Sequence, residues 1–207
     1  QGEVLAEYDS PISGKVRVKI IDGKKVVNTD NTNYSYGILE DVLNHGLDQI
    51  PLNNINSVLV LGMGAGCVIP SLRKRYNCHA PVTAVELDPI LIEIADKEYG
   101  LKDSEELKVI QGDAYDYVLN TQDKFDLVVI DIFVDLQVPE QFYSDEFWEN
   151  MERIVNLNGF VVFNTGIDLS EDDVYDFVDG LPDNFLYQVM FEVYESNTVV
   201  NLNKFHE

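Results

Sequence analysis

The chain has 207 residues and a mass of 23.5 kDa, room for one substantial domain and a small appendage. Apolar residues make up 45% and charged residues 25%, which excludes wholesale disorder and fibrous repeats. Thirty-seven acidic residues against 14 basic ones leave a formal charge of -23, a surface that repels nucleic acid and anionic membranes and attracts cations.

The first predicted element is a hairpin. Val16, Val18 and Ile20 alternate with Lys15, Arg17 and Lys19, Asp22-Gly23 supplies a tight turn, and Val26-Val27 begins the return strand. Five of the 14 basic residues (Lys15, Arg17, Lys19, Lys24, Lys25) fall here, either as a contact face or as protection of a strand edge. A helix is predicted from about Ser35, with Ile38, Leu39, Val42, Leu43 and Leu47 on one face, ending before Pro51. Short apolar runs then alternate with helical segments: Val58-Leu61, Val82-Val85, Leu107-Ile110, Leu127-Ile130 and Phe160-Phe163. Such runs, buried on both faces, predict a parallel sheet covered by helices. Asp88 caps one helix, with Pro89 at its first position and Gly100 past its end. Ser170 and Asp173 form a capping box for another. Phe147, Trp148, Met151, Ile154 and Val155 fall at helical spacing and read as core, and the seven acids from Asp168 to Asp183 read as a solvated helix face. Leu186-Tyr194 and Thr198-Leu202 close the chain as an antiparallel hairpin. The expected fold is a doubly wound, mostly parallel seven-stranded α/β sheet over residues 35–207, preceded by a small β-hairpin region over residues 1–34.

No apolar run approaches the ~20 residues of a membrane span, and the first ten residues lack a signal-peptide pattern. Cys67 and Cys78 read as reduced thiols, and three scattered histidines make no metal site, so a cytoplasmic protein without metal is expected.

The first parallel strand runs into Gly62-Met63-Gly64-Ala65-Gly66, a bend that lets backbone approach a ligand. Glu86, twenty residues beyond Gly66, ends the second strand at the usual offset for a ribose-binding acid. Asp113, with Ala114, ends the third, where a carboxylate can accept from an adenine amino group. All three features lie at the carboxyl ends of adjacent strands, where open α/β sheets bind ligands. The loop is G-x-G-x-G rather than the dinucleotide G-x-G-x-x-G, and no Walker lysine follows. A compact loop with a terminal antiparallel hairpin favours S-adenosylmethionine over NAD.

These residues resemble the spermidine synthase (aminopropyltransferase) branch of the S-adenosylmethionine-dependent methyltransferase superfamily, from about Ser10 to Thr165. Ser13-Gly14, Asp22-Gly23 and Tyr34-Ser35-Tyr36 resemble the family's N-terminal hairpin and helix start. Val58 to Gly66, Glu86-Leu87-Asp88-Pro89, Gly112-Asp113-Ala114 and Phe125 to Asp131 resemble four of its motifs in order, and Val138-Pro139 through Phe147 to Gly159 resembles its following helix and strand. The resemblance implies that Gly62, Gly64, Gly66, Glu86, Asp88, Asp113 and Ala114 line a pocket for S-adenosylmethionine or its decarboxylated form. It also implies that Asp131 is the catalytic carboxylate, that Tyr36 closes over the substrate, and that Asn164 stands near a substrate-contacting Gln. The family's usual association implies a homodimer.

The departures fall on the acceptor side. The loop Asp that helps hold the aminopropyl amine is Ala65, the residues after Tyr36 are Gly37 and Ile38, and D-S-S-D-P becomes Asp131-Ile132-Phe133-Val134-Asp135. Asp135 assists Asp131 or stays solvated. An amine acceptor is mostly protonated at neutral pH, and a strand-end carboxylate can hold the ammonium and take its proton. The expected reaction is transfer of an aminopropyl or methyl group to a small amine. A methyltransferase acting on another small acceptor, and a nucleoside-binding module without catalysis, remain open alternatives.

Overall fold

Two periods in the sequence build two sheets, seen in a computed structural model that describes residues 2–29, 33–35, 38–134, 136–194 and 196–206. Strict alternation at the start gives β1 (Glu3–Ser10), β2 (Gly14–Ile21), β3 (Lys24–Asn28) and the short β4 (Asn33–Ser35), an antiparallel sheet in the order β1-β2-β3-β4. The sequence predicted only the β2–β3 hairpin. β1 was missed because it is an edge strand whose apolar residues are half in water: Val4 is 50% exposed and Leu5 44%. Three of the basic residues of β2 and β3 are tied to neighbouring acids. Lys15 and Arg17 pair with Glu7 of β1 at 2.9 and 2.8 Å, and Lys25 pairs with Glu98 at 2.9 Å.

After helix α1 (Ile38–Leu47) the apolar runs become β5 (Val58–Leu61), β6 (Val82–Glu86), β7 (Leu107–Gln111), β8 (Phe125–Ile130) and β9 (Val155–Gly166). They alternate with α2 (Val68–Lys74), α3 (Pro89–Tyr99), α4 (Ala114–Asn120) and α5 (Asp145–Ile154), and α6 (Glu171–Asp179) precedes the final hairpin of β10 (Phe185–Val193) and β11 (Asn197–Lys204). The seven strands run in the order β10-β11-β9-β8-β5-β6-β7, parallel except for the pairings that β11 makes with β9 and β10. This is the doubly wound sheet that the sequence predicted.

Successive residues of the central strands feed opposite faces. Leu59, Leu61, Val128 and Ile130 pack with Trp148 and Phe147 of α5, and Val58, Val60, Leu127 and Val129 pack with Val42 and Leu43 of α1 and Leu72 of α2. A third cluster joins the two sheets. Val16, Val18 and Val27 sit on Leu91 and Ile94 of α3, and Ala65 of the glycine bend is fully buried among them. The predicted caps are present. Asp88 accepts from the Ile90 N–H, Gly100 closes α3 with a φ of 68°, and Ser170 and Asp173 form the capping box of α6. The strand order turns back on itself at β5, which opens a crevice above the carboxyl ends of β5, β6, β7 and β8.

Candidate active site

The crevice is a cavity of about 860 Å³ whose lining includes Gly62, Gly64, Glu86, Asp113 and Asp131. The glycine bend leaves β5 through three left-handed residues, Gly62, Gly64 and Gly66, with φ of 79°, 54° and 88°. Two of them answer to the protein's own packing. A Cβ on Gly62 would lie 2.3 Å from the Asp131 carbonyl oxygen, and one on Gly66 would lie 2.4 Å from the Leu101 side chain. Gly66 therefore packs away from the cavity, while Gly62 and Gly64 line it. The Gly64 N–H donates to Glu86 Oε2 at 2.7 Å, which fastens the bend to the end of β6.

Glu86 is 9% exposed and faces the cavity. Its Oε1 accepts from the Asp88 N–H at 2.9 Å. A carboxylate oxygen accepts twice, so one position on each oxygen remains for a hydroxyl donor. Burial raises this carboxyl above its ordinary range, against the lowering effect of the Asp88 and Gly64 N–H groups. The site thus fits a ligand bringing two hydroxyls.

Asp88 also borders the cavity, but its oxygens are committed to the protein. Oδ1 accepts from the Ile90 N–H at 2.9 Å, and Oδ2 accepts from the hydroxyls of Ser10 and Ser13 at 2.5 and 2.6 Å. The family resemblance places it in the cofactor pocket; its bonds fasten the N-terminal sheet to α3. Asp113 caps α4 by accepting from the Tyr115 N–H at 2.7 Å through Oδ1, and Asp113 and Ala114 both line the cavity.

Asp131 follows β8, its N–H bonded to the Leu61 carbonyl at 2.9 Å. Its side chain is half-buried at the cavity wall and accepts one described hydrogen bond, from Asn164 Nδ2 to Oδ1 at 3.0 Å. Desolvation pushes its carboxyl up to about 6, against the lowering effect of that bond. Asn164 on β9 is fully buried and does not line the cavity. Its Oδ1 accepts from the Gly166 N–H at 3.0 Å, so the residue expected at the substrate positions Asp131 from behind. Tyr36 and Asp135, the other expected substrate contacts, lie outside the described residues.

Several lining residues went unread in the sequence. Leu87 is 47% exposed beside Glu86, and an apolar residue abutting a strand-end acid was a usable signal. Ser196 and Asn197 reach the cavity from the turn of the last hairpin, which no local pattern foretells.

Residues 35–201 match the spermine/spermidine synthase domain. The chain belongs to that family. It is 30% identical over 168 residues to a polyamine aminopropyltransferase of Sulfurisphaera tokodaii, covering 73% of this chain and 54% of the relative. The chain spans about half the length of the curated family members it matches first. A probable spermidine synthase from Corynebacterium glutamicum shares the fold with a TM-score of 0.77 at 13% identity, over 99% of this chain and 80% of that one. Human methyltransferase-like protein 13, solved with SAH, shares it with a TM-score of 0.68 at 22% identity, over 83% of each chain. The fold of this family member is thus common to aminopropyltransferases and methyltransferases. Among its described residues, no helix is long and apolar enough to cross a membrane.

Proposed function

We propose that the chain is a transferase that takes S-adenosylmethionine or its decarboxylated form as donor and moves a methyl or aminopropyl group to a small amine. The observation that carries this reading is the sharing of one cavity by Glu86, with open acceptor positions for a pair of hydroxyls, and Asp131, a carboxyl poised near the pH where it exchanges protons. In this reading Glu86 holds the ribose, the free oxygen of Asp113 faces the adenine amino group, and Gly62 and Gly64 leave room at the bend. The donor supplies a sulfonium cation whose neighbouring carbons are open to displacement. Asp131 holds the acceptor ammonium and takes its proton, and the freed lone pair forms the new N–C bond as the C–S pair departs with sulfur. Tyr36 closes over the acceptor, and Asp135 assists Asp131 at its nitrogen. Structural neighbours solved with SAH and with the transition-state analogue AdoDATO support this class of donor.

Methyl transfer has one specific observation in its favour. Ala65 stands where the family resemblance calls for an acid to hold the aminopropyl amine, and it is fully buried under Val16, Val18 and Val27. The alternative of a module without catalysis gives no role to a carboxyl held at about 6 beside the cavity. Residues 35–207 are read as the transferase domain and residues 1–34 as its cover; a homodimer in the cytoplasm belongs to the same proposal, to be checked by sedimentation and localisation. The deciding experiment incubates the protein with each donor and an amine and identifies the nucleoside released. S-adenosylhomocysteine means methyl transfer, and methylthioadenosine in step with a propylated amine means aminopropyl transfer. Release of neither from any amine, with nucleoside binding intact, overturns the reading.

A further inference from the structure

Beyond Asp131 the cavity is walled by the loops that follow β8 and β9 and by the turn between β10 and β11. The first two loops contribute Ile132, Phe133, Val134, Leu136 and Ile167 to the lining. They form one surface: Gly166 has a φ of 76°, and a Cβ there would lie 2.7 Å from the Phe133 ring, so the loops are packed together where they meet. Three of these side chains are strongly exposed for apolar residues, Val134 at 61%, Leu136 at 52% and Ile167 at 48%. The third segment contributes Ser196 and Asn197. Asn197 is 9% exposed, lines the cavity, and has no side-chain hydrogen bond to any described residue. A buried amide facing a cavity without a partner is set for a ligand.

We infer that the acceptor is a monoamine carrying an apolar body, its nitrogen held between Asp131 and Asn197 and its alkyl or aryl portion lying on the wall formed by Phe133, Val134, Leu136 and Ile167. The inference rests on the transferase reading and names its acceptor class. An α,ω-diamine needs an anion at each end, and the wall that Phe133, Val134, Leu136 and Ile167 form beyond Asp131 is apolar. A second ammonium on an apolar wall loses hydration without compensation. Each methylene laid on that wall instead improves binding by about fourfold.

The test compares n-hexylamine, n-butylamine and putrescine. Nucleoside release is measured with each donor, and calorimetry measures amine binding to protein saturated with S-adenosylhomocysteine or methylthioadenosine. The expected kcat/KM for hexylamine is about fifteenfold above butylamine, with putrescine lowest and the binding order the same. Putrescine as the best acceptor overturns the inference and leaves the transferase reading standing. Absence of nucleoside release, with the amines still ranked in the expected order by calorimetry, overturns the transferase reading and upholds only the monoamine-binding wall. No amine binding to the loaded protein overturns the inference. Ile167→Asp, on an exposed loop residue, is expected to narrow the hexylamine-to-putrescine ratio at least tenfold, and an unchanged ratio removes the wall from the argument. Asn197→Ala is expected to raise KM for every amine severalfold without changing nucleoside affinity; unchanged KM removes Asn197 from the site.

Discussion

Asn164 on β9 donates a 3.0 Å hydrogen bond to Asp131 at the end of β8, and it is the only described side chain bonded to that carboxylate. The bond favours the ionised form while burial opposes it, and the balance leaves the carboxyl at about 6. A base so placed is ionised at neutral pH and still able to take a proton.

Asp131→Asn is expected to abolish transfer, at least a hundredfold in kcat, while nucleoside affinity by calorimetry changes less than threefold. In the unmutated protein the rate is expected to fall as pH drops through about 6, where the Asp131 carboxyl takes up its proton. The same group destabilises the fold when ionised. That cost is full above pH 6 and fades as pH falls from 6 toward the ordinary carboxylate value near ~4. Asp131→Asn should therefore be more stable than the parent by roughly 1–2 kcal/mol at pH 7 and close to equal at pH 4, as measured by denaturant titration.

Asn164→Ala removes the one described bond that lowers the Asp131 carboxyl. The acid limb of the pH–rate profile should move to higher pH, with little change in rate on its alkaline plateau. A downward movement would show that Asn164 does not favour the ionised form.

Glu86→Gln places an amide where two backbone N–H groups, those of Gly64 and Asp88, require acceptors. One of the two loses its partner, and one ribose-facing acceptor is lost with it. Nucleoside affinity should fall by tenfold or more, with a stability loss of about 1–3 kcal/mol.

Asp88→Ala removes a helix cap and leaves the hydroxyls of Ser10 and Ser13 without their acceptor. The expected loss is about 2–4 kcal/mol in denaturant unfolding. Protection of β1 and β2 amides in hydrogen exchange should fall further than that of β5 and β8.

Gly62→Ala meets a positive φ and the Asp131 carbonyl oxygen at once. It should unfold at markedly lower denaturant than the parent, or fail to accumulate as folded protein.

The core sheet was legible because β5, β6, β8 and β9 are buried on both faces, so burial alone wrote continuous apolar runs into the sequence. The acids Glu86, Asp113 and Asp131 were legible because each ends such a run. Strand β1 was not, since an edge strand with a wet face needs little apolar alternation. Asn164 was placed at the substrate because its neighbours along the chain cannot reveal that Asp131, from the adjacent strand, lies between it and the cavity. Asp88 carried both a cap signal and a motif, and only the packed structure shows that two serines from the distant β1–β2 turn use its second oxygen. Asn197 comes to the cavity by the path of the last hairpin, a tertiary fact with no local periodicity.

The double serine grip on Asp88 bears on how ligands come and go. Lifting the small sheet off α3 would strip both hydroxyl donors from a carboxyl that is 1% exposed, so parting the two costs those bonds. The exposed side chains of Val134 and Ile167 mark the opposite rim, the readier approach. In the proposed reading, a donor seated against Glu86 and an amine arriving past that rim meet at Asp131.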